Sequence, residues 1–137
     1  MTTPALSEDE KERIRQVYTK SRDNTISHDI RYVAKLKPAV FDRLLSHSDP
    51  TVQRLGAYAL HLQRFIGDHL SGAYSAPIHI IHAFTAVLLY LVNPFDVIQD
   101  GSSARGYADD IFVLELGLAD GGEELRKHAG NMGLTLP

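Results

Sequence analysis

The stretch from Ala76 to Val92 does most to constrain what this chain can fold into. His79, His82 and Thr85 are the main interruptions of an apolar run, so a helix formed here has almost no polar face to offer water. Such a helix lies at the centre of a protein or in lipid. Its 17 residues span about 25 Å at 1.5 Å per residue, short of a hydrocarbon core of roughly 30 Å, and two imidazoles add to the cost of spanning. The sequence therefore predicts the central helix of a bundle.

A central helix needs partners to cover it, and the flanking sequence supplies them. Ser7 and Glu10 form the S-x-x-E capping box, opening a helix from Glu8 to about Lys20 with Ile14, Val17 and Tyr18 on its inner side. Ser27 is expected to cap a second helical region. Pro38 divides it into Asp29 to Lys37 and Ala39 to Ser46. Asp49 followed by Pro50 starts a third, where Val52, Leu55, Ala59, Leu62, Ile66 and Leu70 recur at helical spacing. Arg64 and Asp68 on its other face read as an ordinary solvated pair. Beyond the central helix, Tyr107 to Ala119 is again strongly apolar and should pack antiparallel to it. Gly121-Gly122 is expected to break the chain before a short amphipathic helix from Glu123 to about Asn131. The expected architecture is all-α: residues 1–137 as a single-domain helical bundle of about five to six helices around an apolar antiparallel hairpin with an acidic turn.

Composition narrows function mainly by exclusion. With 137 residues, 44% of them hydrophobic and 23% charged, the chain can build one real core and falls outside the disordered class. A formal net charge of -3 provides no basic field for a phosphate backbone, so no nucleic-acid partner is expected. The absence of cysteine removes disulfides, thiolate metal sites and thiol nucleophiles. Residues Met1 to Glu12 lack a basic segment followed by an apolar run, which makes a cytoplasmic location the expectation.

One constellation carries chemical content. Tyr90, Asn93, Pro94, Asp96, Ile98 and Asp100 are followed by a six-residue loop closed by Gly106, and then by Asp109 and Asp110. Four carboxylates thus fall within fifteen residues of an apolar hairpin. The order and spacing of Tyr90, Pro94, Asp96, Ile98, Asp100, Gly106, Asp109 and Asp110 closely resemble the YkvA-like family, a bacterial helical domain of unknown function. The resemblance covers about residues 75–119. Gln99 stands where that family usually has proline, and Ser102 to Arg105 is more polar than the family loop. What the resemblance implies is a helical hairpin around an acidic turn, with no implied activity.

Read from physical chemistry, the carboxylates have two roles open to them. Asp109 and Asp110 fall in the first turn of a helix, where free amides and the macrodipole favour negative charge, and Asp96 and Asp100 are four apart on one helical edge; capping and loop bracing account for all four. Alternatively, converging carboxylates form an all-oxygen site for Mg²⁺ or Ca²⁺, with Arg105 as the competing counter-charge. No other cofactor is expected.

His79 and His82 are three apart, which can place both on one side of the helix as half of a two-histidine metal site. However, His82 lies about 16 Å of helix from Asn93, so the imidazoles cannot share an ion with the acidic turn. The dipeptide His28-Asp29 stands without the further His and Asp pattern of metal-dependent phosphohydrolases of the HD type. No nucleophile elbow, P-loop or dinucleotide fingerprint occurs, so nothing positive supports catalysis. The sequence favours a non-catalytic helical interaction or structural domain that binds a protein partner or itself. The alternatives are a divalent-metal-dependent hydrolase using the four aspartates and a peripheral membrane protein attached through the apolar hairpin.

Overall fold

Local signals set most of the helix starts. A computed structural model of the chain describes residues 6–92 and 107–137. Helix α1 (Glu8–Asp23) opens with the expected capping box: the Ser7 hydroxyl accepts from the Glu10 amide at 3.1 Å, and the Glu10 carboxylate accepts from the Ser7 amide at 2.8 Å. Ile14 and Tyr18 are buried along its inner edge.

Helix α2 (Ser27–Ala34) corrects the sequence reading at both ends. Ser27 is already helical and Ile26 occupies the cap position, because the Asp29 carboxylate reaches back to accept from the Ile26 amide at 3.1 Å. The helix stops at Ala34 rather than Lys37. Lys37 precedes a proline and is extended, and Pro38 opens a separate 3-10 turn, Pro38–Phe41, that runs into the one-turn helix α3 (Asp42–Leu45). Gln63 braces this exit, its amide nitrogen donating to the carbonyls of Val33 at 3.0 Å and Leu36 at 2.6 Å.

Helix α4 (Pro50–Ser71) begins as predicted, with an Asp49 oxygen accepting from the Thr51 amide at 2.9 Å, and ends at Gly72 in the left-handed region with φ 83°. Its stripe of Val52, Leu55, Ala59, Leu62 and Ile66 is buried, joined by Phe65, whereas Leu70 is exposed. The central position falls to α5 (Ile78–Val92), which packs against α1, α2, α4 and the last helix. Even its buried Thr85 stays internally satisfied, donating to the Ile81 carbonyl at 2.7 Å.

The last helix, α6 (Ala108–Met132), is continuous. The expected break at Gly121-Gly122 does not occur. Two glycines in a helix interior cost roughly 1 kcal/mol each relative to alanine, yet both are buried here, and α5 fills the space above one of them. A Cβ on Gly121 would lie 2.6 Å from Ile80 Cγ2 and 2.9 Å from Phe84 Cζ, and one on Gly117 would collide with Val87. Numbers fall along α5 as they rise along α6, so the two helices are antiparallel, as the sequence predicts. Among the described residues there is no strand, and no helix is long and apolar enough to cross a membrane.

Candidate functional site

The antiparallel pairing of α5 and α6 brings the last turn of one beside the first turn of the other, and two motif residues meet there. The Tyr90 hydroxyl donates to Asp109 Oδ2 at 2.8 Å, with both side chains buried. A carboxylate withdrawn from water needs donors, and a phenol in the neighbouring helix supplies one without introducing a second charge. The bond joins positions 19 residues apart and ties the end of α5 to the start of α6. Asp110 is half-buried beside Asp109 in the same first turn. Asn93, Pro94, Asp96, Ile98, Asp100, Arg105 and Gly106 lie outside the described residues. Of the four aspartates, the structure therefore places Asp109 and Asp110.

The histidines of α5 sit elsewhere. His79 is exposed in the first turn and His82 is half-buried one turn on, whereas Tyr90 and Asp109 lie at the far end of the helix. Among the described residues no group of three or more His, Asp or Glu side chains is arranged to hold a metal ion. His69 has a local role: its Nδ1 accepts from the Ala76 amide at 3.3 Å, bracing the chain between α4 and α5.

A second polar cluster builds on the Arg64–Asp68 pair, which the sequence read as simply solvated; its His128 partner, on a distant helix, was invisible there. Asp68 Oδ2 accepts from Arg64 Nε at 3.2 Å and lies 2.7 Å from His128 Nε2, which joins α4 to α6 across 60 residues of chain. His128 is 1% exposed, and Phe65 and Tyr74 pack against its ring in T-shaped contacts at centroid distances of 5.2 and 5.1 Å. With Asp68 as acceptor, Nε2 carries the hydrogen. Nδ1 is left enclosed with no hydrogen-bond partner among the described residues.

Next to this cluster the Tyr74 hydroxyl donates to Glu124 at 3.0 Å, and burial, reinforced by that carboxylate, pushes its pKa up. His61 on α4 is held below the ordinary imidazole range by burial first and then by the nearby His128 and Arg64. The base-and-carboxylate pairing of His128 and Asp68 resembles part of a catalytic relay. Its remaining nitrogen is shut away from solvent, however, so what it contributes is a clamp between α4 and α6.

A third contact secures α1: Asp120 Oδ2 accepts from the Tyr18 hydroxyl at 2.6 Å and from Arg22 at 3.0 Å. Between α4 and α6 lies an open groove of about 240 Å³. Leu55, Tyr58, Ile111, Leu114 and Leu118 line it, with Arg54 and Glu115 also contributing.

Residues 81–116 match a family described as "Protein of unknown function (DUF1232)", and the YkvA-like resemblance is compatible with that match. The matched segment takes in most of α5, the Tyr90–Asp109 bond and the first part of α6. No curated protein and no solved structure matches the chain.

Proposed function

We propose that this chain is a non-catalytic helical interaction or structural domain, in which the Asp-rich turn braces the hairpin of α5 and α6. The observation that carries this reading is the buried bond from Tyr90 to Asp109. One of the motif carboxylates is committed to a neighbouring helix through a phenol, which is what a brace requires. Binding of another protein, or of a second copy, has an apolar surface available in the groove between α4 and α6. A cytoplasmic location fits a chain without cysteine.

The test is a set of melting curves for the wild type, Tyr90→Phe and Asp109→Asn, each with chelator and with millimolar Mg²⁺ or Ca²⁺. A brace predicts that both variants melt below the wild type by about 1–3 kcal/mol of stability, with no dependence on the ion. An ion-stabilised wild type beside ion-insensitive variants would replace the brace with a cation site.

A further inference from the structure

The segment 26–45, whose short helices flank Pro38, concentrates two kinds of exposed side chain. Four of the six large hydrophobic side chains exposed among the described residues lie here: Ile26 at 60%, Tyr32 at 44%, Val40 at 42% and Leu45 at 37%. The same segment carries four exposed cations, Arg31, Lys35, Lys37 and Arg43, against the carboxylates Asp29 and Asp42. It is therefore net positive in a chain whose formal charge is -3. Asp29 is engaged in holding the Ile26 amide.

Helix α2 arranges part of this set on one face. Ile30 and Val33 turn inward, while His28, Arg31, Tyr32 and Lys35, at spacings of three and four, line an outward groove of about 290 Å³ with Leu36. No carboxylate lines that groove, and neither Arg31 nor Lys35 makes an ion pair among the described residues.

We propose that this face of α2, with the 3-10 turn and α3 that follow it, is a contact surface for an anionic lipid bilayer. The Arg31–Lys35 groove receives an anionic headgroup, and Ile26, Tyr32 and Val40 reach the acyl boundary. Charge complementarity selects the occupant: cations with no ion pair among the described residues are exposed on a net-positive segment of a chain that is negative elsewhere. Tyr32 lines the same groove, and Ile26 and Val40 are exposed on the same segment. A soluble acidic peptide would use the cations and leave the aliphatic side chains in water. A bilayer uses both. This surface differs from the α5–α6 hairpin, whose apolar side chains are largely turned into the core. The proposal is independent of the brace, because its readout is vesicle binding and not hairpin stability.

The experiment is co-sedimentation of the full chain with vesicles of neutral phosphatidylcholine, and of the same lipid with about 30% phosphatidylglycerol, at low and at 0.5 M salt. Binding is expected to the anionic vesicles only and to weaken with salt as screening shortens the reach of the charges. The double variant Arg31→Glu with Lys35→Glu should lose more than about tenfold in partitioning. The variant Ile26→Ser with Tyr32→Ser should also bind less, while Arg13→Glu with Lys20→Glu on α1 retains binding and controls for net charge.

Circular dichroism and melting temperature verify that each variant is folded. The changed side chains of the α2 variants are all exposed, so folding should be preserved. The proposal is overturned by equal binding to neutral vesicles, by no binding to either, or by equal losses in the α2 and α1 charge variants. Capture of poly-glutamate through Arg31 and Lys35 without vesicle binding also overturns it, in favour of an acidic peptide.

Discussion

Gly121 and Gly122 are adjacent in one helix, and the structure predicts opposite outcomes for the same substitution at the two positions. Replacing either with alanine removes a glycine from a helix interior, a gain of about 1 kcal/mol from backbone entropy alone. At Gly122 the new methyl meets Arg126 Nη1 at 3.6 Å and Leu118 Cβ at 3.7 Å, which is ordinary van der Waals contact. Gly122→Ala should therefore keep most of that gain. At Gly121 the methyl lies 2.6 Å from Ile80 Cγ2 and 2.9 Å from Phe84 Cζ, and both belong to the buried core of α5. Relieving such overlap requires α5 and α6 to separate or the core to repack, at about 1–3 kcal/mol. The balance for Gly121→Ala is a net loss of about 1 kcal/mol, so the two variants should differ by about 2 kcal/mol. Urea denaturation measures each difference directly, and thermal melts should separate the variants by roughly 5–10 °C. If Gly121→Ala is stabilised as much as Gly122→Ala, the close approach of the two helices is wrong.

Tyr18→Phe deletes the hydroxyl that donates to Asp120 but leaves Arg22 on the same carboxylate, so urea titration should show a loss of about 0.5–1.5 kcal/mol. Asp49→Ala should cost about 1 kcal/mol by orphaning the Thr51 amide. Asp49→Ser keeps a cap and removes the enclosed Oδ2, which has no hydrogen-bond partner among the described residues, and should cost less in the same assay. His61 has a folded pKa below its unfolded value near 6.5, so the fold binds fewer protons there than the unfolded chain does. Its contribution is present above about pH 6.5 and is lost as the pH falls from there through the folded value. Melting temperatures taken from pH 7.5 to 5 should fall less steeply in His61→Gln than in the wild type, and parallel curves would contradict the shift.

Where structure depends on neighbours in the chain, it could be read in advance. The Ser7–Glu10 box and the Asp49–Pro50 start involve groups two or three residues apart, so the amides and their acceptors meet whatever the rest of the fold does. The burial of α5 was legible for a related reason: a helix apolar on nearly all sides has one aqueous solution, to be surrounded. The acidic motif was legible as a set of residues, of which Tyr90, Asp109 and Asp110 are described. That Tyr90 donates to Asp109 follows only from the antiparallel register.

Other features depended on competition between local preference and packing. Ser27 was expected to cap the second helix, but the Asp29 carboxylate reached back to the Ile26 amide and moved the start one residue earlier. The glycine pair 121-122 has the composition of a break, and intrinsic propensity argues for one. Close packing of α5 on Gly121 offsets that propensity and carries α6 through to Met132. Asp68 and His128 are separated by 60 residues, and no spacing rule connects them. Sequence by itself determined the helical class, the central helix and the caps of α1 and α4, because those rest on periodicity and on groups within one turn of each other. Only the tertiary structure decided the continuity of α6, the clamp between α4 and α6, and the pairing of Tyr90 with Asp109, because each depends on which surfaces approach closely enough to exclude water.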